Sequence, residues 1–117
     1  MSDTGVIPET PTAEEVAQEV YEVGSENGVP PEKVIVFGSY ARGEQTVDSD
    51  ADVVIVSSEI EEEDFYARRY TWDFDWNYDD FPTLDLIILK PDEFEDYKNR
   101  DSHIVREAVE TGEEFNF

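Results

Sequence analysis

The chain has 117 residues, 38% of them hydrophobic, no cysteine, and a formal net charge of −23. That length suits one modest hydrophobic core and is short for two, and the lack of cysteine excludes disulfides and cysteine-based zinc or redox chemistry. Eight basic residues against 31 acidic ones create a field that repels nucleic acid and anionic membranes, so neither is an expected partner.

Residues 1–10 are polar and patternless, with Gly5 and Pro8, and read as a disordered N-terminus. Residues 11–117 read as a single domain. No basic-then-apolar segment opens the chain, and no apolar run reaches the roughly 18 residues of a membrane span. A soluble cytoplasmic protein is the expectation. Thr12 and Glu15 form a capping-box pattern, and Val16, Val20 and Val23 recur at helical spacing. This predicts a helix to about Asn27, closed by Gly28 and blocked by Pro30-Pro31. Lys33 to Phe37 is a short β-branched run, read as a buried strand ending at Gly38-Ser39. Tyr40 to Gly43 predicts a helical turn, and Glu44 to Ser49 a loop. Asp50 to Val56 is a second strand, apolar except at its entrance.

Glu59 to about Asp75 reads as a helix. Within 65–81 lie eight aromatic residues. Phe65, Trp72 and Trp76 suit a helix, whereas Trp72, Phe74, Trp76 and Tyr78 alternate as in a strand. Both readings stay open, as do core packing and a contact surface for these rings. Thr83 to Leu89 follows Pro82 as a third strand. Pro91 then opens a helix with Phe94 and Tyr97 facing inward. Asp101 or Ser102 caps a last helix through Val109, with Ile104, Val105, Ala108 and Val109 on its apolar face and Gly112 ending it. The α-β-α-β-α-β-α order implies a small α/β (α+β) domain with helices on a mixed sheet of three, with room for four, strands. The acids are spread along the whole chain and lysine occurs only at 33, 90 and 98. That pattern favours a high-salt habitat over a disordered acidic chain, a nucleic-acid mimic or a calcium protein, which would need a D-x-[DN]-x-[DN]-G loop.

The residues that carry chemistry are Gly38-Ser39, then Asp50 and Asp52, then Asp85. Gly38 lets a ligand approach the backbone closely. Ser39 sits at a strand-to-helix turn, where its amide and hydroxyl can meet phosphate oxygens. Asp50 and Asp52 are two apart and share a face. Paired carboxylates repel unless a cation joins them, and magnesium is bound by one or two carboxylates plus substrate phosphates. Asp85 lies in an apolar strand where an isolated buried charge is costly, which a metal or a proton-accepting role would relieve; a place on the sheet edge or pairing with Lys90 stays open as the alternative. Arg42 reads equally as a phosphate contact and as a surface arginine. Tyr40 has two readings, a base-stacking ring or a partly buried one. His103 is assigned a surface helix position and no catalysis.

Gly38-Ser39-Tyr40-Ala41-Arg42-Gly43 followed by Ser49-Asp50-Ala51-Asp52-Val53-Val54-Ile55-Val56 resembles the signature of the polymerase-beta-like nucleotidyltransferase superfamily. The small size and the tail resemble its minimal nucleotidyltransferases, over roughly residues 12–115. The resemblance implies ATP or another nucleoside triphosphate, two magnesium ions on Asp50, Asp52 and Asp85, and a triphosphate held by Gly38, Ser39 and Arg42. It also implies an antiparallel first strand pair, and transfer of AMP to a hydroxyl. Larger relatives carry a further domain for the acceptor, so a partner is expected to supply it here. For the minimal group that partner is a HEPN-type helical toxin, modified on a tyrosine. A catalytically silent module that neutralises its partner by contact is the alternative.

Overall fold

The computed structural model describes residues 10–101 and 103–117. Residues 1–9, where most of the disordered terminus was expected, and Ser102 lie outside these. Helix α1 spans Ala13–Glu26 and starts where the sequence placed it, with both halves of the capping box made (Thr12 N to Glu15 Oε1, 2.9 Å; Glu15 N to Thr12 Oγ1, 3.1 Å). Its valines at 16, 20 and 23 are buried against one face of a sheet. The sheet is built from β1 (Lys33–Phe37), β2 (Ala51–Val56), β3 (Leu84–Leu89) and β4 (Glu113–Asn116), in the order β3-β2-β1-β4. β1 runs antiparallel to both β2 and β4, while β2 and β3 are parallel. The short helix α2 (Ser39–Arg42) leads from β1 toward β2.

β2 is buried on both faces, which its nearly continuous apolar run requires. Val53 and Ile55 face α1, while Val54 and Val56 face α4 (Pro91–Tyr97) and α5 (Ile104–Thr111) on the opposite side. Trp72 wedges between α1 and the sheet and donates its indole N–H to Val20 O at 2.9 Å. Gly24 makes room for it. A Cβ there would lie 2.8 Å from the Trp72 ring and 2.6 Å from Val29 O.

Four expectations are corrected. Residues 59–75 do not form one helix. A turn of 3₁₀ helix (Ala67–Arg69) runs into a four-residue helix, α3 (Tyr70–Asp73), after an irregular stretch. The cause is competition for backbone partners. Arg68, buried, donates Nε to Glu62 O at 2.6 Å, and Tyr66 N turns to Asp64 Oδ1 at 2.9 Å, so the i→i−4 bonds that remain, such as Arg68 N to Asp64 O at 3.2 Å, do not join into a continuous ladder. The run Glu61-Glu62-Glu63-Asp64 adds like-charge repulsion. The aromatic alternation makes no strand either. Trp72 and Trp76 are buried, while Phe65, Tyr66, Tyr70, Phe74 and Tyr78 are exposed.

The second correction concerns the tail, which was given no element: it forms β4, the fourth strand the sheet had room for. Glu-Glu-Phe-Asn carries a weak strand signal, yet it pairs with the open edge of β1, tied by Lys33 to Glu114 at 3.4 Å. Third, α5 is capped by His103, whose Nδ1 accepts from Val105 N at 3.1 Å, and not by Asp101. His103 also stacks on Tyr97 at 4.8 Å and is half-buried, so it is not a surface helix residue. Fourth, Val105 and Ala108 alone fill the buried face of α5, with Ile104 and Val109 exposed.

Candidate active site

Three strands meet at the site. Register places Phe37 beside Asp52 across β1 and β2, and Asp52 beside Asp85 across β2 and β3. Gly38 follows with φ +74°, a conformation that favours glycine. A Cβ on Gly38 would overlap Oδ2 of Asp52 and lie 3.3 Å from its Cγ. The Asp52 carboxyl therefore rests directly on the Gly38 backbone, and that contact explains the glycine. A cavity of about 270 Å³ opens here, lined by Gly38, Asp52, Asp85, Ile87, Ile104 and Glu107.

Asp52 is half-buried, and its carboxyl is raised from the ordinary range. Burial is the largest cause. The charges of Asp85 and Asp50 follow, with a hydrogen bond between the Asp52 and Asp85 carboxyls, and Arg42 opposes them. Asp85 is exposed, because β3 is an outer strand. Of the readings open for Asp85, the structure shows the sheet-edge one, beside Asp52 of the parallel strand. Lys90 pairs with Glu63 and not with Asp85. Asp50 stands exposed just before β2 and acts on Asp52 through its charge.

Ser39 opens α2. The amides of Ser39 and Tyr40 have no helical acceptor by position, while the Gly38 and Ser39 carbonyls are occupied by Arg42 N (3.2 Å) and Glu44 N (2.9 Å). Arg42 is exposed and paired with Glu44 at 2.8 Å, yet close enough to lower the Asp52 carboxyl. Tyr40 is buried, which removes it as a stacking ring.

Two residues lacked any local signal. Glu107 reaches the cavity from α5. Arg69 faces Asp85 from the 3₁₀ turn, held by Asp73 (Nε to Oδ2, 2.9 Å) and by Leu84 O (3.4 Å). Only the rarity of arginine in so acidic a chain could have flagged it.

Among the described residues, no three carboxylates or imidazoles converge as a ready-made metal cluster. What converges is the Asp52–Asp85 pair. Two neighbouring carboxyls, with Asp52 raised by burial and by the charge of Asp85, fit a hard divalent cation whose other ligands come from phosphate and water.

The model of the nucleotidyltransferase domain matches residues 15–112. The chain belongs to the nucleotidyltransferase domain family. The matched range contains Gly38, Ser39, Asp50, Asp52 and Asp85. A crystal structure of a candidate nucleotidyltransferase from Sulfolobus solfataricus is similar, at 30% identity over 69% of this chain and 68% of that one, with a TM-score of 0.49. No curated protein gives a match. No helix among the described residues of this nucleotidyltransferase is long and apolar enough to cross a membrane.

Proposed function

We propose that the chain is a magnesium-dependent minimal nucleotidyltransferase that moves a nucleoside monophosphate, AMP from ATP, onto a hydroxyl of a partner protein. The observation that carries this reading is the Asp52–Asp85 carboxyl pair seated on Gly38 at the end of β1. The amides that open α2 and the Ser39 hydroxyl hold the triphosphate, with Arg42 at its approach. Asp52 and Asp85 would hold the metal, with Asp50 as a third carboxylate nearby. The resemblance implies two ions, which supply the positive charge that neutralises triphosphate and carboxylates. Asp85 takes the proton of the acceptor hydroxyl. The acceptor is a tyrosine on a small helical HEPN-type protein, and the pair works as antitoxin and toxin in the cytoplasm. The dispersed acids support a halophilic setting, in which cations accompany the triphosphate to so negative a surface.

The test is incubation with ATP, magnesium and the product of the neighbouring gene at high salt. A mass gain of one nucleoside monophosphate on that product, lost with Asp52→Ala, is expected. An unchanged gain with Asp52→Ala would sink the assignment. A second reading, neutralisation of the partner by contact alone, draws on the exposed rings: Tyr66 is 80% and Phe74 84% accessible. It expects Asp50→Ala with Asp52→Ala to leave partner inhibition intact.

A further inference from the structure

β3 is an outer strand, and its backbone groups divide by parity. The carbonyls of Thr83 and Leu89 accept from Ala51 N (2.9 Å) and Ser57 N (3.1 Å) of the β2 segment. In a parallel ladder the N–H and C=O of one residue point to the same side. The odd-numbered residues therefore address β2, and Leu84, Leu86 and Ile88 address the open edge. Two of their carbonyls are capped by arginines: Leu84 O by Arg69 Nη2 at 3.4 Å, and Ile88 O by Arg68 Nη1 at 2.9 Å. Between the caps stands Leu86. Among the described residues nothing pairs with its N–H or C=O.

A second cavity of about 270 Å³ opens at this gap, walled by Phe65, Tyr66 and Arg69. It meets the cavity of Gly38 and Asp52 at Asp85 and Ile87, which line both. Asp85 thus stands between two spaces, one holding the triphosphate residues and one bounded by open strand edge. An unpaired edge is a liability that proteins usually close. Here the two flanking carbonyls are capped, the N–H groups of Leu84 and Ile88 have no partner among the described residues, and Leu86 alone keeps both a donor and an acceptor, beside a carboxylate that a transfer reaction needs.

We propose that the β3 edge is the acceptor site, and that the acceptor is a polypeptide segment bound in extended form, its backbone paired with Leu86 and its hydroxyl side chain beside Asp85. This rests on the transferase reading. One free N–H and one free C=O on the same strand are what an added strand reads. A side chain opposite a strand residue has its Cβ roughly 4.5–5.5 Å away, within hydroxyl reach of a carboxylate. Phe65 and Tyr66, 47% and 80% exposed, flank the groove as walls for such a segment. The net charge of −23 selects a segment with lysine or arginine flanks and disfavours a polyanionic acceptor. In the step itself the acceptor oxygen attacks the α-phosphorus. The bond from that phosphorus to the oxygen bridging the β-phosphate breaks, pyrophosphate leaves, and the hydroxyl proton passes to Asp85.

The experiment uses the full chain, magnesium and labelled ATP, with a pool of unstructured lysine-flanked peptides bearing a central tyrosine, serine or threonine. A matched pool is N-methylated on the backbone at both sides of the hydroxyl residue, which blocks strand pairing without touching the protein. The parent pool is modified, and the methylated pool falls roughly tenfold in kcat/KM, the weight of two backbone hydrogen bonds. Tyr66→Ala raises the KM for peptide and leaves the thermal shift by magnesium and ATP unchanged. Equal modification of both pools overturns the edge site. So does an unmodified parent pool when the magnesium–ATP shift is present. Absence of that shift in the wild type overturns the transferase reading, and the edge site with it.

Discussion

Gly38→Ala separates the strain of the turn from the seat of Asp52. At φ +74° and ψ −145°, backbone territory essentially confined to glycine, an alanine costs about 1–3 kcal/mol through its Cβ and backbone alone. The Cβ also meets Asp52, lying 3.3 Å from Cγ and overlapping Oδ2. Ordinary carbon contacts are about 3.5–4.0 Å, and the oxygen is closer still, so the carboxyl must swing away by roughly an ångström. A displacement of about 1 Å at a reacting group costs on the order of a hundredfold in rate. The expected outcome is therefore a modest stability loss with a much larger loss of transfer. Thermal unfolding at fixed salt measures the first, and labelled AMP incorporation into the proposed partner protein the second. The double variant Gly38→Ala with Asp52→Ala removes the overlap, so there the added alanine costs only the backbone part. A Gly38→Ala protein that transfers at the wild-type rate would refute the idea that Gly38 exists to seat Asp52.

Three other outcomes are expected. The folded Asp52 carboxyl titrates above its unfolded value, chiefly through burial and Asp85. Its contribution is favourable below the unfolded carboxylate range and is lost as pH rises through the folded value. Asp52→Asn should therefore raise the Tm of metal-free protein at neutral pH, with the difference from wild type vanishing in acid; a lower Tm at neutral pH would contradict this. Glu93 behaves oppositely. Burial pushes its carboxyl up, but the hydrogen bond and charge of Arg68, with the Lys90 amide and ammonium, bring it below the usual value, so its contribution is present above the unfolded range and lost as pH falls through the folded one. Arg68 has a side chain only 1% exposed and binds Glu93 at 2.8 Å with two carbonyls besides, so Arg68→Ala should cost about 3–5 kcal/mol in denaturant unfolding and a near-neutral result would count against its anchoring role. The charge of −23 should make the Tm climb as potassium chloride rises from millimolar to molar concentration, because screening shortens to about 3 Å at 1 M; a flat salt response would dismiss self-repulsion as a factor.

Much of the site was legible from local rules. A capped amphipathic helix, two β-branched runs and a Gly-Ser turn declare themselves within a few residues, and the antiparallel meeting of Gly38 with Asp52 followed the resemblance. The place of Asp85 was only half legible. The sequence left a buried charge, a sheet edge and pairing with Lys90 open, and the sheet order decided among them by making β3 an outer strand with Asp85 exposed beside Asp52. The failed helix over 59–75 has the same origin. Its propensity was outweighed by one buried guanidinium that takes the Glu62 and Ile88 carbonyls and the Glu93 carboxylate from three separate parts of the chain.

The sequence alone determined the elements whose stabilising contacts lie within one turn or one strand: where α1 starts, where β1 ends, and which face of β2 bears Asp52. Tertiary structure alone decided the parallel register that sets Asp85 beside Asp52, the β4 closure and the two arginines on the β3 edge. Those contacts join residues far apart in the chain. Their energy comes from burial and from hydrogen bonds that only the assembled sheet makes available, and no periodicity records it.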